Sequence, residues 1–346
     1  MGYRYLAIVG NAPWGEEPME QFGQEDIEER AAFGSLRLFC SRSTPSLQLP
    51  YGGVVIGHLF SRACRPIRRA DELPPLTPPA LAQKVLLDQC WGEYLLIDPI
   101  AGGMQALRDP SGGVGCFYAL ADGCGFLTSD VGLAERLHLF HKHIDWDYIV
   151  QCLVYPHQKR TRTGLAGISE LLPGDLLTFH DDQAAAEPVW CPWTFVEREA
   201  RHSDLAEAAA SVRTTVSSVV RAWAAVDPPI LLELSGGLDS SIVAACLKET
   251  GAQVSCCTLV TPVPGADERS YASLMAETLG VELHAQTLRY EDARFHFQPP
   301  ANAATPRIWA FQNASDTVKQ SLADRLWSLC VRSASRCSSA ASPTDW

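Results

Sequence analysis

Residues 230–247 read Ile-Leu-Leu-Glu-Leu-Ser-Gly-Gly-Leu-Asp-Ser-Ser-Ile-Val-Ala-Ala-Cys-Leu, an apolar run that enters a glycine-rich turn and leaves it in a helical pattern. A strand, a tight loop and a helix N-terminus are the elements that satisfy this order, and the combination makes an anion site. Gly236 and Gly237 permit backbone conformations and close approach that a side chain would block. Ser235, Ser240 and Ser241 supply hydroxyls, and the unpaired N–H groups of the first helical turn add donors and the positive end of the helix dipole. Asp239 sits inside this anion-binding turn and would repel a phosphate, so a Mg²⁺ ion between them is the economical reading. No lysine follows the glycines. The loop is therefore not the Gly-x-x-x-x-Gly-Lys-Ser/Thr type that handles a transferred γ-phosphate.

The periodicity around this loop predicts its surroundings. Apolar residues at helical spacing over Ser203–Val226, with Ser203 or Asp204 as N-cap, precede a strand at Ile230–Leu234 and a helix at Ser240–Thr250. A strand at Val254–Val260, a helix at Asp267–Leu279 and a strand at Val281–Leu288 follow. Strands alternating with helices of this length indicate right-handed β-α-β units in a parallel sheet. The loop then lies at the carboxyl end of the first strand, where such sheets bind ligands.

The first half has a different rhythm. Short β-like runs at Tyr5–Val9, Val54–Phe60, Tyr94–Asp98, Gly115–Leu120, Gly125–Thr128 and Leu176–Phe179 are separated by turns. This spacing predicts an antiparallel β-rich or layered α+β domain. Pro74-Pro-Leu-Thr-Pro-Pro79 reads as a stiff surface linker leading into a helix at Ala80–Gln89, and further helices are expected at Asp130–His141 and Asp147–Val154.

Length and charge bound the function classes. A chain of 346 residues is long enough for two cores, and its net charge of −12 argues against a nucleic-acid-binding surface. A local basic groove for an acidic peptide remains compatible with that balance. The N-terminal residues read as neither a signal peptide nor a membrane span, and twelve cysteines without a secretion signal read as reduced cytoplasmic thiols. His138, His141 and His143 lack the cysteines or paired acids of a metal site and read as a solvated helix end.

The SGGLDSS string resembles the pyrophosphate loop of ATP-pyrophosphatases, in the form found in the asparagine synthetase superfamily. Those enzymes adenylate a carboxylate, release pyrophosphate into this loop and form an amide. The resemblance implies that Ser235, Gly236, Gly237, Ser240 and Ser241 bind the pyrophosphate portion of ATP, and that Asp239 holds Mg²⁺ and acts in catalysis. Backbone at Leu232–Glu233 and Thr258–Leu259 would frame the adenine, and Asp267 and Glu268 would begin a helix near the nucleotide. Acids at a helix N-terminus are also favourable for the helix alone.

The first half is similar to the glutaminase domain of asparagine synthetases, an N-terminal-nucleophile hydrolase fold. Gly92-Glu-Tyr94, Leu107-Arg-Asp-Pro110, Gly115-Cys-Phe-Tyr118, Phe126-Leu-Thr-Ser-Asp130 and Leu171-Leu-Pro-Gly174 carry the likeness. The expected organisation is a layered glutaminase-like domain at 1–195 and a partial parallel-sheet ATP-pyrophosphatase domain, adenine nucleotide α-hydrolase-like, at 204–325. The glutaminase chemistry is missing from its expected positions. Gly2 stands where the nucleophilic cysteine would follow the initiator Met, Ile56-Gly57-His58 replaces Asn-Gly-Glu, and Trp91 replaces an Asp.

A degenerate glutaminase half with an intact SGGLDSS looks like the lasso-peptide macrolactam synthetases, in which a peptide's own amine attacks the adenylate. That resemblance implies a precursor peptide as substrate and a peptidase as partner. The alternatives are asparagine synthesis from ammonia or glutamine, with a small amino acid as substrate, and a truncated pseudoenzyme that only binds nucleotide. Relatives would continue with a Ser-Gly-x-Gly-x-Asp segment and a later Lys. Here residues 326–346 form a Ser/Ala/Arg/Cys-rich stretch that reads as disordered, so a truncated chain is expected.

Overall fold

A computed structural model describes residues 3–10, 22, 26–75, 82–155, 158, 160–226, 229–260, 265 and 267–287. The expected tail at 326–346 and Gly2 lie outside the described residues. The chain divides into two compact units, one running to Arg201 and the other beginning at His202.

Two antiparallel sheets form the first unit. The six-stranded sheet contains β1 (Tyr5–Val9), β2 (Ile27–Phe33), β3 (Leu36–Ser41), β9 (Phe117–Ala121), β10 (Cys124–Thr128) and β11 (Ser169–Glu170), in the order β11-β9-β10-β1-β3-β2. The seven-stranded sheet contains β4 (Ser46–Gln48), β5 (Val54–Ser61), β6 (Pro66–Ile67), β7 (Cys90–Ile100), β8 (Gly103–Arg108), β12 (Asp175–His180) and β13 (Gln183–Pro188). Its order is β13-β12-β8-β7-β5-β4, with β6 paired to β5.

Side-chain alternation sorts each strand between two cores. Tyr5, Ala7 and Val9 of β1 meet Val54 and Ile56 of β5 and Leu95 and Ile97 of β7 between the sheets. On the outer face of the first sheet, Leu6 and Ile8 pack with Val131, Leu133 and Ala134 of α2 (Val131–Arg136). On the outer face of the second, Val55 and Leu96 pack with Ala82 and Leu86 of α1 (Ala82–Gln89). The layers thus run helix, sheet, sheet, helix. Strand β1 is buried at all five positions because both of its faces are covered, so it reads as a continuous apolar run.

Polar locks hold the turns. Arg108 is buried and donates to Glu170 at 2.8 Å, to the Leu171 carbonyl at 2.6 Å and to the Gly112 carbonyl at 2.7 Å. Asp109 accepts from the backbone N–H groups of Tyr94 at 3.0 Å and Ser111 at 2.7 Å, closing the Asp-Pro turn after β8. Asp130 caps α2 through Gly132 N–H at 2.9 Å and receives Arg4 Nε at 2.7 Å.

Several boundaries differ from the sequence expectation. Helix α2 ends at Arg136 instead of continuing to His141, because His138 leaves the helix at φ 55°. Strand β7 extends over Cys90–Ile100, and β2, β3, β4, β6, β8, β11 and β13 were not foreseen. The exposed edge strand β13 shows no apolar alternation, since neither face enters a core. A third helix, α3, spans Trp146–Val154 and is capped by Asp145 through Tyr148 N–H at 3.1 Å.

The second unit opens with α4 (Leu205–Ala224), whose N-cap is Asp204. There follow β14 (Ile230–Glu233), α5 (Leu238–Lys248), β15 (Val254–Val260), α6 (Arg269–Leu279) and β16 (Leu283–Thr287). The three strands form a parallel sheet in the order β14-β15-β16. Leu234, Ala244, Cys256, Ala272 and Ala276 make its core with α5 and α6. Gly280 ends α6 in the left-handed region at φ 69°, a conformation open to glycine without steric cost.

Candidate nucleotide site

The loop after β14 is held by bonds within itself. Leu234 is fully buried and its N–H donates to the Cys257 carbonyl at 2.7 Å, so the end of β14 is tied to β15. Ser235 Oγ and Ser240 Oγ lie 3.0 Å apart, and Ser240 Oγ accepts from Ser235 N–H at 3.3 Å. Gly237 N–H donates to Ser235 Oγ at 3.2 Å, while Gly237 caps α5 with an extended backbone, φ −70° and ψ 170°. These contacts bring Ser235, Gly236, Gly237 and Ser240 together. Ser241 lies one residue further into α5, its N–H directed to the Gly237 carbonyl at 3.2 Å.

Gly236 is required twice. Its φ is +79°, and a Cβ there would lie 2.5 Å from Tyr271 Cβ and 2.7 Å from Ala272 N in the first turn of α6. Two helix N-termini therefore meet the loop, that of α5 in sequence and that of α6 through space. The second was foreseen only as a helix beginning near the nucleotide. No local signal marks the contact itself.

Asp239 is exposed in the first turn of α5. Among the described residues no cluster of three or more His, Cys, Asp or Glu side chains could hold a metal. One exposed carboxylate beside serine hydroxyls nevertheless fits Mg²⁺, which usually keeps several waters and is bound through one or two carboxylates plus phosphate oxygens. At the start of α6, Asp267 pairs with Arg269 at 2.6 Å, and hydrogen bonds from Arg269 hold its carboxyl down at about 2. Glu268 is the N-cap residue, its carbonyl accepting from Tyr271 and Ala272 N–H.

Leu232 and Leu259 are both half-buried but are not neighbours in register, Leu232 facing Cys256 and Leu259 facing Gln286. Leu232 instead lines an apolar groove of about 380 Å³ with Trp223 of α4 and Leu247 of α5. Trp223 was not among the residues singled out by motif, because it belongs to a helix whose apolar spacing reads only as core.

In the first unit, three of the substituted positions, Ile56, His58 and Trp91, have defined surroundings. Ile56 is fully buried between the sheets, where it offers no polar atom. Trp91 stacks on Phe60 at 4.4 Å and donates to the Ser61 carbonyl at 3.0 Å. His58 faces Glu93 across β5 and β7, and Tyr3 donates to Glu93 Oε2 at 3.0 Å while its ring meets His58 edge-on at 5.9 Å. Gly57 allows this pairing at φ +105°, since a Cβ would lie 2.2 Å from the Glu93 carbonyl oxygen.

Residues 211–323 match the asparagine synthase family, a stretch that starts within α4 and contains the whole loop. That match links the second unit to the asparagine synthetase family and its loop to ATP-dependent ligases. No curated protein matches the chain. Solved structures that resemble it weakly include two enzymes. The glutamine phosphoribosylpyrophosphate amidotransferase from B. subtilis, complexed with ADP and GMP, is 11% identical over 86% of this chain and 69% of that one, with a TM-score of 0.32. An allosteric regulatory enzyme of purine biosynthesis is 10% identical over 88% of this chain and 79% of that one, with a TM-score of 0.31. At such values the description of the fold as mixed α/β rests on the layers themselves. Among the described residues, no helix is long and apolar enough to cross a membrane.

Proposed function

We propose that this chain carries the adenylating part of an ATP-dependent amide ligase. The observation that carries the reading is the Ser235–Ser241 loop, in which two hydroxyls, a left-handed glycine and a helix N-terminus converge. In this reading the substrate carboxylate attacks the α-phosphorus of ATP, and the bond to the β-phosphate oxygen breaks. Pyrophosphate departs into the loop, where Ser235, Ser240, Ser241 and the N–H groups of α5 receive its negative charge. An amine then attacks the acyl adenylate, AMP leaves with the carboxyl oxygen, and an amide remains. Asp239 would hold Mg²⁺, which would supply charge neutralisation when bound. The protein contributes positioning and electrostatics, with no covalent intermediate on its own side chains.

For the amine, the asparagine synthase match favours ammonia, with aspartate as the carboxylate. A second reading is ring closure of a precursor peptide by its own amine, with a peptidase as partner. Ile56 and Trp91 support it, since they bring neither the amide nor the carboxylate expected at those two positions to serve glutamine hydrolysis. The test is pyrophosphate release in the presence of ATP and Mg²⁺, with aspartate plus ammonium in one arm and a precursor peptide in the other. Asparagine in the first arm supports asparagine synthesis, and loss of one water from the peptide supports cyclisation. Asp239→Asn should lower either rate by ~10²-fold or more, the scale of one electrostatic partner in such a site. An unchanged rate in that variant would remove Asp239 from the chemistry.

A further inference from the structure

The first unit holds a small polar pocket that the proposed reaction does not use. It lies against α3, has a volume of about 230 Å³, and is surrounded by Tyr148, Gln151, Cys152, Tyr155, Gln158 and Arg160. That volume falls below the roughly 300 Å³ at which sites for whole small molecules begin. It suits a single side chain.

The lining is rich in donors. Among the described residues it offers a guanidinium, two amides and two phenols, with no carboxylate. Two nearby arginines differ in their partners. Arg162 is neutralised by Asp145 through two contacts of 2.7 Å and lies over the Tyr148 ring at 5.7 Å. Arg160 donates to Gln158 Oε1 at 3.0 Å and makes no ion pair among the described residues. A guanidinium with no ion pair among the described residues, set in a donor-lined pocket, selects for a carboxylate, which matches its planar fork.

The surface beside the pocket is apolar. Trp146, Val150, Leu153 and Val154 recur at helical spacing along α3, each more than half exposed, and exposed Tyr155 continues the surface into the pocket. A contiguous exposed apolar face of this kind marks an interaction site.

We propose that this face docks an acidic, apolar peptide segment, with one Asp or Glu side chain in the pocket against Arg160 and its apolar neighbours along α3. The chemistry that selects this occupant is the pairing of the Arg160 guanidinium with an apolar rim. The inference stands apart from the ligase reading, because no atom of the nucleotide loop takes part.

The test measures binding to the full chain by fluorescence anisotropy. The probes are an end-capped, fluorescein-labelled peptide of alternating Leu and Glu and its counterpart with Gln for every Glu. The Glu peptide should bind about tenfold more tightly, the scale of one charge-assisted hydrogen-bonded pair. Arg160→Ala should erase that ratio, and Leu153→Asp should weaken both peptides. Both side chains are exposed, and circular dichroism checks that each variant is folded. Equal affinity for the two peptides, no binding of either, or a ratio that survives Arg160→Ala would overturn the proposal. So would a dimer that Leu153→Asp dissociates without any peptide binding, since the face would then belong to a second copy.

Discussion

Replacing Gly236 with Ala isolates what the contact between the loop and α6 contributes. Two costs add at this position. The left-handed backbone, φ +79°, penalises an L side chain by ~1–2 kcal/mol. The new Cβ also lies 2.5 Å from Tyr271 Cβ and 2.7 Å from both Ala272 N and the Tyr271 carbonyl carbon, which are fixed by the helix. Relieving that overlap by shifting the first turn of α6 adds ~1–3 kcal/mol, the usual range for overpacking. The expected total is about 2–5 kcal/mol. Two other glycines separate the terms. Gly251 has φ +69° with nothing near its missing Cβ, so Gly251→Ala carries only the backbone cost. Gly237 has an ordinary φ of −70°, and its Cβ would meet only Ser235 Oγ at 3.3 Å. Urea unfolding of the three variants should therefore rank Gly236→Ala as most destabilised, then Gly251→Ala, then Gly237→Ala. Hydrogen exchange at the Tyr271 and Ala272 amides should accelerate in Gly236→Ala alone. A Gly236→Ala variant no less stable than Gly251→Ala, with unchanged exchange in α6, would refute the argument that the two elements are in contact.

Two further perturbations probe the first unit. Asp98 in β7 is buried with Oδ1 unpartnered among the described residues, and burial raises its carboxyl from the ordinary 3.8 to about 6. Because the folded value lies above the unfolded one, the stability of this site is full below about pH 4 and is lost as pH rises through about 6. Asp98→Asn should abolish that slope and gain on the order of 2–3 kcal/mol over the wild type at pH 8, measured by urea unfolding across pH. Arg108 and Glu170 form a pair with both side chains 4% exposed, so Arg108→Ala should cost ~3–5 kcal/mol by removing the guanidinium that faces a buried carboxylate. The double variant Arg108→Met/Glu170→Met should recover much of that loss, and failure to recover would show that the carbonyl contacts at Leu171 and Gly112 matter more than the charge pair.

Much of the second unit was legible because its signals are local. Strand β15 spans the expected Val254–Val260, and the helices of that unit fall within two residues of their expected starts. In the first unit, β1 appears where its apolar run predicts, while β2 and β13 were missed. Edge strands owe their existence to cross-strand pairing, which leaves a faint pattern in their own residues.

The chain's own residue order determined the strand, the left-handed glycine and the serine bonds of the Ser235–Ser241 loop, because those contacts connect residues only a few positions apart. It also determined that Ile56 and Trp91 bring no amide or carboxylate to the first unit. The tertiary structure alone decided that α6 closes on Gly236, that Tyr3, His58 and Glu93 meet, and that Arg160 lines a pocket with Tyr148, Gln151 and Tyr155. Each of these depends on sheet register or helix packing, where residues far apart in the chain become neighbours only after the cores have formed.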